Sequence, residues 1–336
     1  MTHPAAPQNT IYLHSLGHFH PENVIDNAFL QSLGMDTTDE WITERVGIRT
    51  RRTVLSLDYI RETKNEDIRK APEAVLYSNA ETGKRAAQIA FKNAGLTAQD
   101  IGMVLVGGCS PDTVTPAEAS RIANELGIQA QCLDLNAACS SFGAQIYWLS
   151  LMRPEALPRF ILLVSPENTT RTIDYRDRNT AVLWGDGTSA AIVSTQVTSP
   201  VRLAHVELGS DPTGWDKVMI PRVGHFQQKG SAVQSFAIKT MVAGYQRIEK
   251  LYANSQRRIF FIGHQANLRI LESTCHRCQI PAERHFYNIE AFGNTGAAGA
   301  PIVLSQNWQK FQKNDVIAMV VAGAGLTWAS LAIEFN

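Results

Sequence analysis

An α/β fold is predicted for this chain of 336 residues from two observations. Short apolar runs rich in Val and Ile recur along it: "DIGMVLVGGCS" (100–110), "ILLVSPE" (161–167), "AAIVS" (190–194), "RRIFFIGHQ" (257–265) and "VIAMVVAGAG" (316–325). Runs of that length and composition suit strands buried on both faces. Between them lie stretches with helical apolar spacing, and such alternation is the mark of a mixed α/β core.

The helical stretches are "AETGKRAAQIAFKNAGL" (80–96), "PAEASRIANELGI" (116–128) and "AIKTMVAGYQRIEKLYANS" (237–255). The first two end near a glycine, the residue that most easily takes the left-handed conformation of a helix stop. "LWGDGTSAAIVS" (183–194) echoes "VAGAGLTWASLAIEF" (321–335), and "CSSFGAQIYWL" echoes "NTGAAGAPIVL". These pairs suggest duplication with halves meeting near residue 200, although Gly-rich turns also echo one another by chance. The segment 53–83 is charged and weakly periodic and reads as an excursion from the first half.

Hydrophobic residues make up 44% of the chain, and Lys+Arg 31 balances Asp+Glu 31. Without a basic excess, no nucleic-acid footprint is expected over the whole surface, while a local basic patch stays open. No run approaches the roughly 20 apolar residues of a membrane span, and "MTHPAAPQNT" lacks an apolar signal core. A cytoplasmic protein with no membrane partner is therefore expected, its five cysteines reduced.

Two motifs look metal-like. Cys275-His-Arg-Cys278 has CxxC spacing but no second pair to complete four ligands, even with His285 as a third. A helix face with two half-buried thiols is the plainer reading. His14, His18 and His20 in "HSLGHFH" read as solvated or capping residues at a strand end and loop. No metal is expected.

The chemistry centres on "LDLNAACSSFGAQIYWLS" (133–150), where Cys139 stands between a strand-like and a helix-like run. The free N–H groups and dipole of a helix start favour thiolate over thiol, which is one way to make a nucleophile. His264 ends an apolar strand in "FIGHQANLRI", and Asn294 sits in the Gly-flanked turn of "EAFGNTGAAGAP". Gly325, lacking a Cβ, leaves room for backbone to approach a carbonyl. Singly these residues are a satisfied polar group and a turn-former; together they make a candidate catalytic set of Cys139, His264 and Asn294.

The blocks "DEWITERVGIRTRR" (39–52), "AACSSFG", "LWGDGTSAA", "GHQANLRI", "GNTGAAGAP" and "AGLTW" stand in order along the chain. They resemble the signature blocks of the beta-ketoacyl-ACP synthase III group of thiolase-fold condensing enzymes. That resemblance implies a five-layered αβαβα fold of two similar halves, 1–198 carrying the Cys and 199–336 carrying the His and Asn, assembled as a homodimer. It casts Cys139 as the acyl acceptor, His264 and Asn294 as the pair acting in condensation, and the Cys139 and Gly325 amides as the oxyanion hole. Trp41, Arg178 and Arg269 fall where that group contacts the pantetheine or nucleotide, and Arg45 near the same mouth. No cofactor is implied; acyl-CoA and acyl-ACP thioesters are the substrates. Acyl carrier protein is the implied partner, and Arg247, Lys250, Arg257, Arg258, Arg269 and Arg277 form a candidate basic patch for its acidic surface, or else a set of solvated helix charges.

Several features depart from that pattern. The 53–83 excursion is long, Tyr147 and Trp148 follow the nucleophile, and Ala324 replaces a usual third glycine. "DNAFLQSLGM", "ERVGIRTRRTVLSLDYI" and "EAVLYSNAETGKRAA" resemble a narrower branch, the ketosynthases of dialkylresorcinol and bacterial stilbene pathways. Members of that branch join a beta-ketoacyl thioester to a 2-enoyl thioester and cyclise to a 2,5-dialkylcyclohexane-1,3-dione. Deprotonation between two carbonyls would then replace loss of carbon dioxide. Glu167 in "SPENTTR" is the candidate base, unless it is a loop carboxylate paired with Arg171. The alternatives are decarboxylative condensation of acyl-CoA with malonyl-ACP and, from another class, simple acyl transfer or thioester hydrolysis.

Overall fold

The computed structural model describes residues 9–336. Nine strands form the principal sheet: β1 (Ile11–Phe19), β2 (Ile101–Val106), β3 (Gln131–Asp134), β4 (Phe160–Glu167), β5 (Gly187–Ser194), β6 (Val201–Ser210), β7 (Arg258–Gly263), β8 (Asp315–Gly323) and β9 (Thr327–Phe335). Their order is β7-β8-β9-β6-β1-β5-β4-β2-β3. Outward from β1, the pairings are antiparallel to β5, antiparallel to β4, then parallel to β2 and β3. Outward from β6 they are antiparallel to β9, antiparallel to β8, then parallel to β7, with a single parallel bridge from Phe261 to His285 beyond. Both arms thus run through the same sequence of strand senses. They join at β1 and β6 through Ile11↔Leu203 and Tyr12↔Arg202.

The expected five layers follow from three apolar cores. Helices α1 (Asn79–Ala94) and α2 (Glu118–Leu126) pack through Ala86, Ala90 and Ile122 on Val104, Leu162 and Ile192, the outer face of the β1 arm. Helices α3 (Ser141–Leu151) and, later in the chain, Gly299–Asn307 bury Phe142, Ile146, Leu149, Val303 and Leu304 among residues of both arms, and so form the middle layer. Helices α4 (Gly230–Leu251) and α5 (Leu268–Cys278) cover the far face with Met241, Ile248 and Leu271. Each large apolar side chain buried this way contributes about 1.5–3 kcal/mol from area alone. Gly143 lets α3 lie against β9, since a Cβ there would sit 2.3 Å from the Ala329 Cβ.

The apolar runs of the sequence became β2, β4, β5, β7 and β8, and the first two helices stop at Gly95 and Gly127 in the left-handed conformation. Helix α4 begins at Gly230 rather than 237, because its first two turns are exposed or half-buried and lack an apolar period. β6 had no sequence signal, β1 only its histidine-bearing end and β3 only the strand-like run before Cys139. The three histidines belong to β1 and the residue after it and are half-buried, each with a partner in the fold: His14 pairs with the Val197 carbonyl, His18 with Ser305 and His20 with the Asp186 carbonyl. Burial lowers the pKa of all three, that of His20 to about 4.

The 53–83 excursion is folded rather than loose. It carries the helix Leu57–Thr63, and its Asn65 is fully buried, donating to the carbonyls of Arg171 and Ile173. Asp186 of the "WGDG" block accepts from the Val54 and Thr170 N–H groups at 2.8 and 2.9 Å, tying the excursion to β5. α1 then starts on a capping box between Ser78 and Glu81. No helix of the described residues is long and apolar enough to cross a membrane.

Candidate active site

Cys139 stands in the turn from β3 to α3, two residues before the first helical residue, Ser141. The preceding Ala138 has φ 48°, a left-handed conformation that costs a non-glycine residue energy and is held by its surroundings. What holds it is a bonded turn. Ser141 Oγ donates to the Ala138 carbonyl, and Ser140 Oγ pairs with Thr327 Oγ1 at 2.6 Å, pinning the turn to the start of β9. Gly323 makes that approach feasible, as a Cβ there would meet the Ala137 carbonyl at 2.8 Å.

A cavity of about 820 Å³ opens onto this turn and is lined by Cys139, His264 and Asn294 together. Its size lies toward the upper end of ordinary ligand cavities. His264 follows β7 directly, its N–H donating to the Val320 carbonyl so that the ring leaves a rigid sheet edge. Asn294 is fixed twice: its backbone N–H donates to the Leu183 carbonyl at 2.8 Å, and its Oδ1 accepts from the Gly296 N–H at 3.0 Å. With Oδ1 occupied, the Nδ2 protons are what Asn294 can offer to a ligand. An imidazole and a carboxamide beside a thiol make a neutral donor pair suited to a developing oxyanion.

The thiol is activated, though not chiefly by the helix start. Cys109 Sγ lies 3.5 Å from Cys139 Sγ. The hydrogen bond with Cys109 is the largest influence lowering the Cys139 pKa, followed by His264 after the opposing cost of burial, and the result is about 5. The Cys109 thiol is correspondingly pushed well up, by its bond to Cys139 and by burial. Cys109 was absent from the candidate residues. The signal was available, since "GGCS" places it just past a strand, as His264 is.

Glu167 ends β4 and is fully buried. Its carboxyl accepts from the Cys109 N–H at 3.1 Å to each oxygen, from the Ala297 N–H at 2.8 Å and from Thr169 Oγ1 at 3.0 Å. Burial first, and then the Cys139 charge, raise its pKa to about 7. It is neither in a loop nor paired with Arg171, which bonds Asp112 instead. Nor does it line the cavity; Cys109 stands between it and Cys139. Gly296, at φ 53°, is needed here, because a Cβ would come 2.5 Å from the Glu167 carboxyl carbon. Gly296→Ala is expected to destabilise the fold by about 1–3 kcal/mol in denaturant titration and to expel Glu167 from its cradle.

Trp41 and Arg45 line the mouth, and Trp41 is faced by the Arg45 and Arg178 guanidinium groups at 5.2 and 4.9 Å from its ring centre. Arg178 also bonds Asp36. Arg269 lines the cavity but spends its guanidinium on the Thr43 and Glu44 carbonyls and on Glu272. The loop wall is made by Gly323, Ala324 and Leu326, while Gly325 stands at φ 123° between them without lining it. Tyr147 packs in the middle layer and Trp148 is half-exposed, so neither shapes the cavity.

The candidate basic patch does not stand free. Arg247 pairs with Glu207, Arg257 with Glu334, Arg258 with Asp315 and Arg269 with Glu272, so much of its charge is already neutralised within the fold. Cys275 and Cys278 lie half-buried on α5, raised by burial to about 12 and 11. Among the described residues no group of three or more His, Cys, Asp or Glu is placed to hold a metal ion.

Five alternating layers with an activated thiol at the head of a central helix define a thiolase-type α/β chain. The family described as 3-Oxoacyl-[acyl-carrier-protein (ACP)] synthase III matches residues 133–212, and its C-terminal counterpart matches 254–335. A beta-ketoacyl-[acyl-carrier-protein] synthase III of Bacillus pumilus is 33% identical over 325 residues, covering 96% of this chain and 97% of that protein. The solved synthase III of Pseudomonas aeruginosa PAO1 superposes with a TM-score of 0.83 at 29% identity, covering 97% of this chain and 98% of the other. The priming beta-ketosynthase of the R1128 polyketide pathway gives 0.81 at 26% identity, covering 98% and 97%. The chain belongs to the beta-ketoacyl-[acyl-carrier-protein] synthase III family of condensing acyltransferases.

Proposed function

We propose that this protein loads an acyl group on Cys139 and condenses it with a second acyl thioester, joining a beta-ketoacyl and a 2-enoyl thioester and cyclising to a 2,5-dialkylcyclohexane-1,3-dione. The observation that supports this reading is the fully buried Glu167 carboxyl bonded to the Cys109 N–H behind Cys139; because it does not line the cavity, it would take a substrate proton only through an intervening group. A decarboxylating enzyme generates its carbanion by losing carbon dioxide and needs no such group, whereas a beta-keto substrate must give up a proton. His264 and the Asn294 amide would stabilise the enolate oxygen, and the Cys139 backbone amide the oxyanion of acyl transfer; Gly325, which does not line the cavity, is not assigned that role. Acyl-CoA and acyl-ACP are the substrates we assign, with no added cofactor.

At the mouth, the Trp41 ring and Arg178 offer a stacking surface for the thioester's nucleotide, with Arg45 beside it. We assign acyl carrier protein as the partner on the strength of the names of the curated relatives. A homodimer would use β3, the outermost strand of the sheet, whose backbone edge is unpaired and whose Leu133 is 41% exposed. Residues 1–198 and 199–336 are read as the two halves, in keeping with the matching strand senses of the two arms.

A second reading, decarboxylative priming with malonyl-ACP, is favoured by the likeness to the R1128 priming ketosynthase. The test offers purified protein an acyl-CoA and malonyl-ACP, or a beta-ketoacyl with a 2-enoyl thioester, and identifies products by mass. A cyclic dione from the second mixture is expected; a malonyl-dependent beta-ketoacyl product alone would return the protein to priming.

A further inference from the structure

Cys109 stands where the nucleophile and the buried carboxyl meet. β2 and β4 are parallel neighbours in register at Val106↔Val164, so Cys109 and Glu167 leave the sheet at the same edge. The Cys109 backbone N–H is shared between both Glu167 oxygens, which themselves are held by Ala297 and Thr169. That cradle cannot slide, because Gly108 and Gly296 leave no slack: a Cβ on either would contact the carboxyl at 3.3 and 2.5 Å. A fixed backbone aims the Cys109 side chain, whose sulfur lies 3.5 Å from Cys139 Sγ. The titratable groups facing Cys139 are Cys109 from the β2 end and His264 from the β7 end, with Glu167 behind Cys109 at the β4 end.

We propose that Cys109 is a positioning residue of the active site, whose S–H, aimed by the Glu167 cradle, donates to the Cys139 sulfur and holds it as the thiolate. The proposal rests on Cys139 being the acylated nucleophile. In loading, the thiolate attacks the thioester carbonyl, the new C–S bond replaces the old, and the departing thiolate takes a proton from solvent. The Cys109 proton stays on Cys109 throughout. A hydroxyl can replace this donor; a methyl cannot.

The test follows alkylation of full-length protein by iodoacetamide across pH 4–9 (roughly the span over which the thiol titrates), quantified on the Cys139 peptide so that Cys109 is counted apart. In Cys109→Ala the midpoint should move alkaline by about one pH unit, so that Cys139 reacts on the order of 10-fold more slowly near the wild-type midpoint. Cys109→Ser should keep the midpoint close to wild type. Should Cys109→Ala not fold, as judged by its thermal transition, Cys109→Val carries the same expectation. A midpoint unmoved in the variant lacking a donor overturns the proposal and leaves His264 and the helix start as the activating groups. Failure of Cys139 to alkylate or acylate even in the wild type sinks the nucleophile reading instead.

Discussion

Cys139→Ala protein incubated with an acyl-CoA is expected to gain no acyl mass and to form no carbon–carbon product. The loss should be on the order of 10³-fold or more, because the covalent route has no second nucleophile in reach. Cys109 does not substitute, since its thiol is pushed well above the ordinary range and its sulfur faces Cys139 and the Glu167 cradle. The pH dependence of loading has a definite sign. With the Cys139 thiol lowered to about 5, the thiolate persists above that value, and loading should fall as pH drops through it. Intact-mass analysis after timed exposure to acyl-CoA, from pH 4 to pH 8 (roughly the span of interest for such a thiol), checks both expectations. A full adduct on the alanine variant would remove Cys139 from the mechanism.

Glu167→Gln is expected to do the opposite: acyl loading survives and condensation with the beta-keto partner drops on the order of 100-fold or more, the usual contribution of a positioned base. Glutamine is close to isosteric, but its single oxygen can accept from only one of Ala297 N–H and Thr169 Oγ1, which bond different oxygens of the carboxyl. With the oxygen kept toward the Ala297 N–H, the Thr169 hydroxyl can turn to accept from the new NH2, which limits collapse of the cradle. The wild-type carboxyl is raised to about 7, so it is protonated below that pH and ionised above it. A base must be ionised, so the condensation rate should fall as pH drops through that region. Acylation removes the Cys139 charge, the second cause of the shift, so the limb measured on acylated enzyme should lie lower than in the free protein. Single-turnover product formation from pre-acylated protein separates this step from loading. If malonyl-ACP is instead the productive partner, and its decarboxylation proceeds undiminished in Glu167→Gln, the non-decarboxylative reading fails while the family assignment stands.

The parts of this protein legible in sequence share one physical property: they are specified by neighbours in the chain. The Val-, Ile- and Leu-rich runs at 161–164 and 316–321 suit central strands, and they form them. Gly95 and Gly127 end helices through a local conformational freedom that reads the same in any context. Cys139, His264 and Asn294 each sit in a short motif at the end of an apolar element, so their gathering at one cavity could be anticipated from the alternation itself. By contrast β1 is cloaked by its histidines, whose hydrogen-bond partners come from distant segments such as Val197 and Ser305. The arginines grouped as a basic patch met acids far away in sequence, Glu207, Asp315 and Glu334 among them.

Sequence by itself determined the alternating α/β core, the thiol, imidazole and carboxamide at strand and helix ends, and the family those blocks mark. Only the tertiary structure decided how the thiol is activated. Cys109, Cys139 and Glu167 come from three separate segments, and it is the parallel register of β2 with β4, plus the turn before α3, that stacks them. Proximity of that kind sets pKa values through burial and through bonds between side chains, and neither exists until the sheet has closed over them.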